Sequence, residues 1–380
     1  MHKGILATAA AVAMGVSSLA MAAGTVTFGV QAPITGKYAN EGQGIEKAVK
    51  LLAKEQNAKG GLLGKQIKVQ ACDDEGKATQ AALCARRLTN AGVFAVIGSY
   101  TSGAASAAQP IYARANVIQT SDGTADELTQ RGFKTFFRNA PPNSAEAKFT
   151  GEYLVNHKHY QRIAVISDHS SFSKGLGDAV AEAIKSDGGQ VLTRAYINSG
   201  SQDFTSVLTD IKSKNPDVIY FSGYYSDGGL LRSQEKQLGM NVPFVGGDAN
   251  QNVAFAKIAG DAAQGSIIVN VPAPENLPYK AAKEFLAAYQ KAYGEAPPSI
   301  FTLTNADGMR VVMKAVEETH SLNPKKVEAY LHQKIDKFPG ITGPISFSSK
   351  GERIGSAFQA FEVQADGSYK TVYPTSASAS

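Results

Sequence analysis

Five short apolar runs in this 380-residue chain each break into a small-residue loop and then a stretch with helical spacing. Phe94–Gly98 opens into Ser99–Gly103, and Val117-Ile118 runs into Thr120–Thr124. Ile163–Ile166 leads to Ser167–Phe172, Val218–Phe221 to Ser222–Asp227, and Pro243–Val245 to Gly246–Asn250. Runs this short and this apolar suit parallel strands buried on both faces. The loops then lie at the carboxyl ends of the strands, where open α/β sheets bind ligands. They carry hydroxyls, aromatic rings and acids, and almost nothing suited to covalent chemistry. The arrangement fits a protein that holds a small molecule.

Strand-like and helix-like segments alternate from Val26 to about Tyr330, which predicts βαβ units and parallel sheets. Helical spacing is read over Gly44–Lys59, Thr79–Asn90, Ala104–Ala115, Ser144–His157, Gly175–Ser186, Phe204–Lys214, Leu230–Leu238, Lys280–Tyr293, Asn305–Glu318 and Lys325–Gln333. A chain of this length exceeds what one core serves, so two lobes are expected. Turn-rich points at Asn139–Asn143, Asn270–Pro274 and Ser348–Arg353 are candidate crossings between them. The formal charge of +5 is scattered among acids with no basic block, so nucleic acid is not indicated.

Residues 1–23 read as a signal peptide: a basic start at Met1-His-Lys3, an apolar stretch from Gly4, and small residues at Ala20-Met-Ala22. No cysteine lies near the cleavage point, so the mature protein is expected to be exported, periplasmic and not a lipoprotein. Nothing later is long or apolar enough to span a bilayer. The chain has two cysteines, Cys72 and Cys84, and in an oxidising compartment they are expected to form one structural disulfide.

Catalytic motifs are weak. No G-x-S-x-G elbow occurs, Gly60–Lys65 is one residue short of a phosphate loop, and Gly175-Leu-Gly177 lacks the third glycine of a dinucleotide turn. His157 and His159 sit two apart, a spacing that diverges on a helix, so a surface pair is expected rather than a metal site. An exported enzyme using Asp168 or His169 is kept as a rival reading.

A free α-amino acid makes a more specific demand. Its carboxylate is best met by hydroxyls and N–H groups at helix starts, and its ammonium by a carboxylate in the same cleft. Ser102 precedes one helix-like stretch, Thr124 another, and Asp248 follows a strand where it could face them. Tyr100, Phe172, Tyr224 and Tyr225 are placed to bury apolar ligand surface. Ser102 and Thr124 read nearly as well as N-caps, and Asp248 as a turn residue.

These residues carry a resemblance. The chain from about Val26 to Asp366 resembles the leucine/isoleucine/valine-binding proteins of ATP-driven importers, with the type I periplasmic binding fold. The likeness rests on Pro33–Gly36, Asn57–Gly61, Asp73-Asp74, Val96–Gly98, Thr124–Gly132, Gly223-Tyr224, Gly246–Asp248, Ile258–Gly260 and Ile341–Pro344. It implies an α/β fold of two doubly wound parallel-sheet lobes joined by a three-strand hinge. The lobes would comprise 24–141 plus 272–351 and 142–271 plus 352–374, with a flexible tail over 375–380. By position it implies that Ser102, the Gly123 backbone and Thr124 take the carboxylate and Asp248 the ammonium. Phe172 and Tyr224 become pocket aromatics, and Tyr100 occupies a side-chain wall position that is aliphatic in the branched-chain binders. Glu41 and Asp122 are departures: two acids expected near the pocket mouth, either selecting a basic or polar ligand or lying solvated at the rim. The implied protein is a monomeric, cofactor-free, non-enzymatic carrier that delivers an α-amino acid to the permease subunits of an ABC importer. A ligand-sensing module for a chemoreceptor, or a binder of a basic or aromatic amino acid or an amide, is the alternative.

Overall fold

The computed structural model describes residues 24–355 and 357–374; the leader-like segment and the tail lie outside them. The first stretch of chain builds a five-stranded sheet from β1 (Thr25–Ala32), β2 (Gln66–Asp73), β3 (Ala95–Ile97), β4 (Ile118–Ser121) and β5 (Phe136–Arg138). Between them run α1 (Ala39–Ala58), α2 (Ala78–Asn90), α3 (Ser102–Arg114) and the short α4 (Glu127–Gln130). The chain then passes to a second sheet through α5 (Asn143–Gly151), β6 (Arg162–Asp168), α6 (Ser171–Ser186), β7 (Gln190–Ile197), α7 (Thr205–Ser213) and β8 (Val218–Phe221). It continues through α8 (Tyr225–Gln237), β9 (Phe244–Gly246), α9 (Val253–Ala259) and β10 (Ile267–Asn270). It returns to the first half for α10 (Lys280–Tyr293), α11 (Ile300–Thr319) and α12 (Pro324–Gln333), followed by the small hairpin β11 (Phe338–Gly340) and β12 (Gly343–Ile345). A last crossing leads to β13 (Gln359–Val363) and β14 (Tyr369–Tyr373).

The helices form where apolar residues recur on one face. In α1 the buried stripe is Ile45, Ala48, Val49 and Leu52, and in α2 it is Ala81, Cys84, Ala85 and Leu88. The inner parallel strands are buried over most of their length, as in Ile163–Ile166 and Val218–Phe221, because helices cover both faces, whereas the edge strands β2 and β7 are largely half-buried. The first sheet has the order β2-β1-β3-β4-β5, and the parallel part of the second repeats it as β7-β6-β8-β9-β10. In both, the direction of winding reverses beside the first strand, so each lobe presents a ligand crevice at its strand carboxyl ends.

Three details differ from the expectation. The second sheet is not wholly parallel, because β13 pairs antiparallel with β10 and β14 antiparallel with β13. The helix read over Ser144–His157 is α-helical only to Gly151 and continues as a π-helical turn. The helix α9, too short for a clear apolar stripe, was not foreseen. Cys72 and Cys84 form a disulfide between β2 and α2, with Cα atoms 5.6 Å apart. Among the described residues no helix is long and apolar enough to cross a membrane.

Candidate functional site

The strand-end loops of the two lobes meet in one small cleft. Tyr100 and Ser102 come from the loop after β3, Asp122 and Thr124 from the loop after β4. Phe172 follows β6, Tyr224 follows β8, and Asp248 and Ala249 follow β9. Phe301, in the first turn of α11, completes the wall. The gap between these side chains is small and partly open to solvent.

On the first lobe, α3 begins at Ser102, and Thr101 is its cap: the Thr101 hydroxyl accepts the Ala104 N–H at 3.3 Å. The Ser102 hydroxyl is therefore not spent on capping. It accepts the Ala125 N–H at 3.1 Å and ties the helix start to the loop after β4. That loop is fixed from below by the buried Arg138, which donates to the Ala125 carbonyl at 2.7 Å and is paired with Glu352 from the last crossing. Thr124 does not cap α4, whose N-cap position is Asp126; its carbonyl accepts the Asn143 N–H at 2.8 Å at the start of the second lobe. Two hydroxyls beside the open N–H groups of a helix start suit a carboxylate.

Asp248 faces them from the second lobe. One of its carboxylate oxygens accepts the Ala249 N–H at 2.6 Å, and its carbonyl accepts the Asn270 amide at 3.1 Å. Its own N–H donates to Oε1 of Glu146 on α5 at 3.0 Å. Gly247 permits this approach, since a Cβ there would lie 2.8 Å from that Glu146 oxygen. Burial holds the Asp248 carboxyl up at about 7, with the Ala249 N–H opposing the rise. Burial, and then the Asp248 charge, raise Glu146 well above the usual carboxylate range.

The remaining wall is aromatic. Tyr224 lies 4.5 Å from Tyr38 and 4.8 Å from Phe172 between ring centroids, and Tyr100 lies 5.6 Å from Tyr224 and 5.5 Å from Phe301.

Of the residues the sequence singled out, Ser102, Thr124, Asp248, Tyr224, Phe172, Tyr100 and Asp122 line this one cleft. Gly123 lies in the same loop, but its N–H already donates to the Ser121 hydroxyl at 3.1 Å, so a ligand would have to share it. The expectation of two acids at the mouth is corrected. Asp122 and Glu41 are both buried, and Glu41 is outside the cavity wall. It sits in α1 and accepts from Asn252 at 2.5 Å and from Ser299 at 2.8 Å, joining α1 to the start of α9 in the opposite lobe. Burial raises its carboxyl to about 7. Sequence reasoning missed Tyr38, Phe301 and Glu146. Tyr38 follows β1 and could have been found by the strand-end rule; Phe301 and Glu146 sit on helices that no such rule selects. His157 stacks on Tyr373 and His169 on Tyr196. No cluster suited to a metal ion exists among the described residues.

Comparison with known proteins gives the family. A family model for periplasmic binding proteins matches residues 25–368. The chain belongs to that family. Its relatives include Leu/Ile/Val-binding proteins. The Leu/Ile/Val-binding protein BraC3 of Rhizobium johnstonii is 30% identical over 92% of this chain and 95% of its own length. Among solved structures, a leucine-binding protein LivK of Thermotoga maritima is 26% identical, with a TM-score of 0.85 over 91% of this chain and 97% of that one. The branched-chain amino acid transporter substrate-binding protein LivJ of Streptococcus pneumoniae, in complex with isoleucine, is 28% identical, with a TM-score of 0.83 over 92% and 100% of the two chains. Periplasmic binding proteins of this kind are solute carriers rather than enzymes, which removes the rival reading built on Asp168 and His169.

Proposed function

We propose that this protein captures a free α-amino acid between its lobes and hands it to the membrane subunits of an ABC importer. The observation that supports this best is one cleft in which Ser102 and Thr124 of one lobe face Asp248 of the other. A zwitterion is bipolar, and the two walls are complementary to its two ends. The hydroxyls and the start of α3 take the carboxylate; Asp248 takes the ammonium, and the aromatic wall covers the side chain.

Charge-assisted hydrogen bonds of about 1.5–3 kcal/mol each must offset an association cost of roughly 4–15 kcal/mol. Burial against Tyr100, Phe172, Tyr224 and Phe301 therefore supplies a share. A ligand that touches both lobes favours closure about the hinge by those differential contacts. On this reading the lobes are 24–141 plus 272–351 and 142–271 plus 352–374, the leader directs export to the periplasm, and the mature protein acts as a monomer. The names of the relatives support an amino acid as the substrate class: one is a Leu/Ile/Val-binding protein, and another was solved with isoleucine.

Thermal-shift and calorimetric screening of the mature protein against free amino acids, their amides and sugars tests the proposal. Saturable binding of at least one free amino acid, lost when its α-carboxylate is amidated, is expected. Binding only of uncharged compounds or sugars would overturn it.

A further inference from the structure

Two polar atoms in the cleft wall are buried without a hydrogen-bond partner: the Tyr100 hydroxyl and Oδ1 of Asp122. Both residues are almost fully buried, at 4% and 2% exposure. The other Asp122 oxygen is occupied, since the Asn305 amide donates to it. The nearby Thr304 hydroxyl has a single proton, for which the Ile300 and Phe301 carbonyls, at 3.4 and 3.1 Å, compete with Asp122. A buried polar atom left unpaired is costly, and a ligand group that reaches it relieves that cost. Here two stand on the wall of the same small cavity, and neither belongs to the hydroxyl pair or to Asp248.

From this we infer that the bound amino acid carries a hydrogen-bond donor on its side chain, which Asp122 and Tyr100 receive. The inference rests on the amino-acid reading of the same cleft and specifies its substrate. An aliphatic side chain would leave both atoms unpaired in a water-poor cavity. A hydroxyl or carboxamide satisfies Asp122 and can also accept from the Tyr100 hydroxyl. An ammonium group satisfies Asp122 through charge as well. The shared chemistry is a donor at the far end of the ligand, and this makes Asp122 and Tyr100 the residues that set specificity. It also gives Asp122 a role inside the cavity rather than at its rim. Sites that hydrogen-bond a substrate group discriminate strongly against the analogue lacking it, because their own polar groups are then left bare.

Near-isosteric pairs test this. Dissociation constants for threonine against valine, and asparagine against leucine, are measured by calorimetry on the mature protein, with 2,4-diaminobutyrate as the cationic arm. Asparagine or threonine is expected to bind at least about tenfold more tightly than its aliphatic partner. Tyr100→Phe and Asp122→Ala should each bring that ratio toward one, with melting temperatures recorded to show that the variants are folded. If Asp122→Ala fails to fold, Tyr100→Phe carries the test alone. Tightest binding of 2,4-diaminobutyrate would also support the inference and assign the donor as a cation. Valine and leucine binding as tightly as their polar partners would overturn it while leaving the amino-acid reading intact. Failure of every free amino acid to bind would overturn both.

Discussion

The backbone N–H of Asp248 donates to the carboxyl of Glu146 at 3.0 Å, so the acid that faces the hydroxyl pair is itself set against a second buried acid. Tyr220 reaches the same Glu146 oxygen at 3.4 Å. Two carboxyls this close and this dry do not both ionise readily. Glu146 is the one held higher, and it leaves Asp248 as the acid that ionises when a cation arrives.

Affinity for the amino acid should therefore rise with pH up to about 7 and then level off, because the ammonium pairs only with ionised Asp248. The slope approaches about tenfold per pH unit on the acid side. Stability of the empty protein runs the other way. A carboxyl raised above its unfolded value keeps a proton that the unfolded chain has lost. The contribution of Asp248 and of Glu41 is whole below about pH 4 and disappears as pH rises through 7. Calorimetry between pH 5.5 and 8 checks the first trend; affinity that is flat or falls over that range would contradict it. Asp248→Asn should flatten the profile.

Asp248→Ala should weaken amino-acid binding by about 2–5 kcal/mol, since the ammonium would be buried unpaired. The melting temperature of the empty variant should change little or rise, because a strained buried acid has gone and only one hydrogen bond, from Ala249, is lost. Unchanged affinity would return Asp248 to the status of a turn residue.

Much of this cleft was legible because strand ends are legible. The apolar runs ending at Ile97, Phe221 and Val245 announce their own carboxyl ends, and the residues just after them fall on the site by topology alone. What sequence could not supply is which side chains are occupied elsewhere. Ser102 and Thr101 are equivalent as cap candidates until the helix start is seen. Glu41 is expected at the mouth only because the resemblance sets it where relatives often have a pocket Tyr, yet α1 packs so closely that a Cβ on Gly42 would meet the Pro33 carbonyl at 2.1 Å, and Glu41 is carried inward. Glu146 and Phe301 come from helices distant in sequence, and only packing brings them in. Ala357–Val363 reads as an alternating strand and becomes β13, but its antiparallel pairing and β14 were hidden for a related reason: edge pairing is chosen by where the last crossing delivers the chain.

Glu41 and Asn252 join the lobes, and Asn40 strengthens the contact by donating to the Asn252 side-chain oxygen at 2.7 Å. Glu41→Gln should thus weaken every ligand alike, by up to about tenfold, through a less favoured closed form. Small-angle scattering should show a larger radius of gyration for the variant at subsaturating ligand. A loss confined to basic amino acids would instead place Glu41 against the ligand.

Arg138 supplies a stability test separate from the ligand. It is wholly buried, and its guanidinium joins the Ala125 and Gly123 carbonyls, Thr129 and Glu352 into one network beneath the loop that carries Asp122 and Thr124. Removing one partner of a buried ion pair costs about 3–5 kcal/mol, and here the lower end applies because Glu352 keeps 23% of its side chain exposed. Arg138→Met should lower the unfolding free energy by about that amount in urea at pH 7. Pairing it with Glu352→Gln should recover part of the loss, because the stranded carboxylate is then neutral, with a coupling of about 0.5–3 kcal/mol. The single variant should also lose affinity, since the 122–125 loop rests on the guanidinium; a variant that binds normally but melts early would show that the loop holds its shape without it.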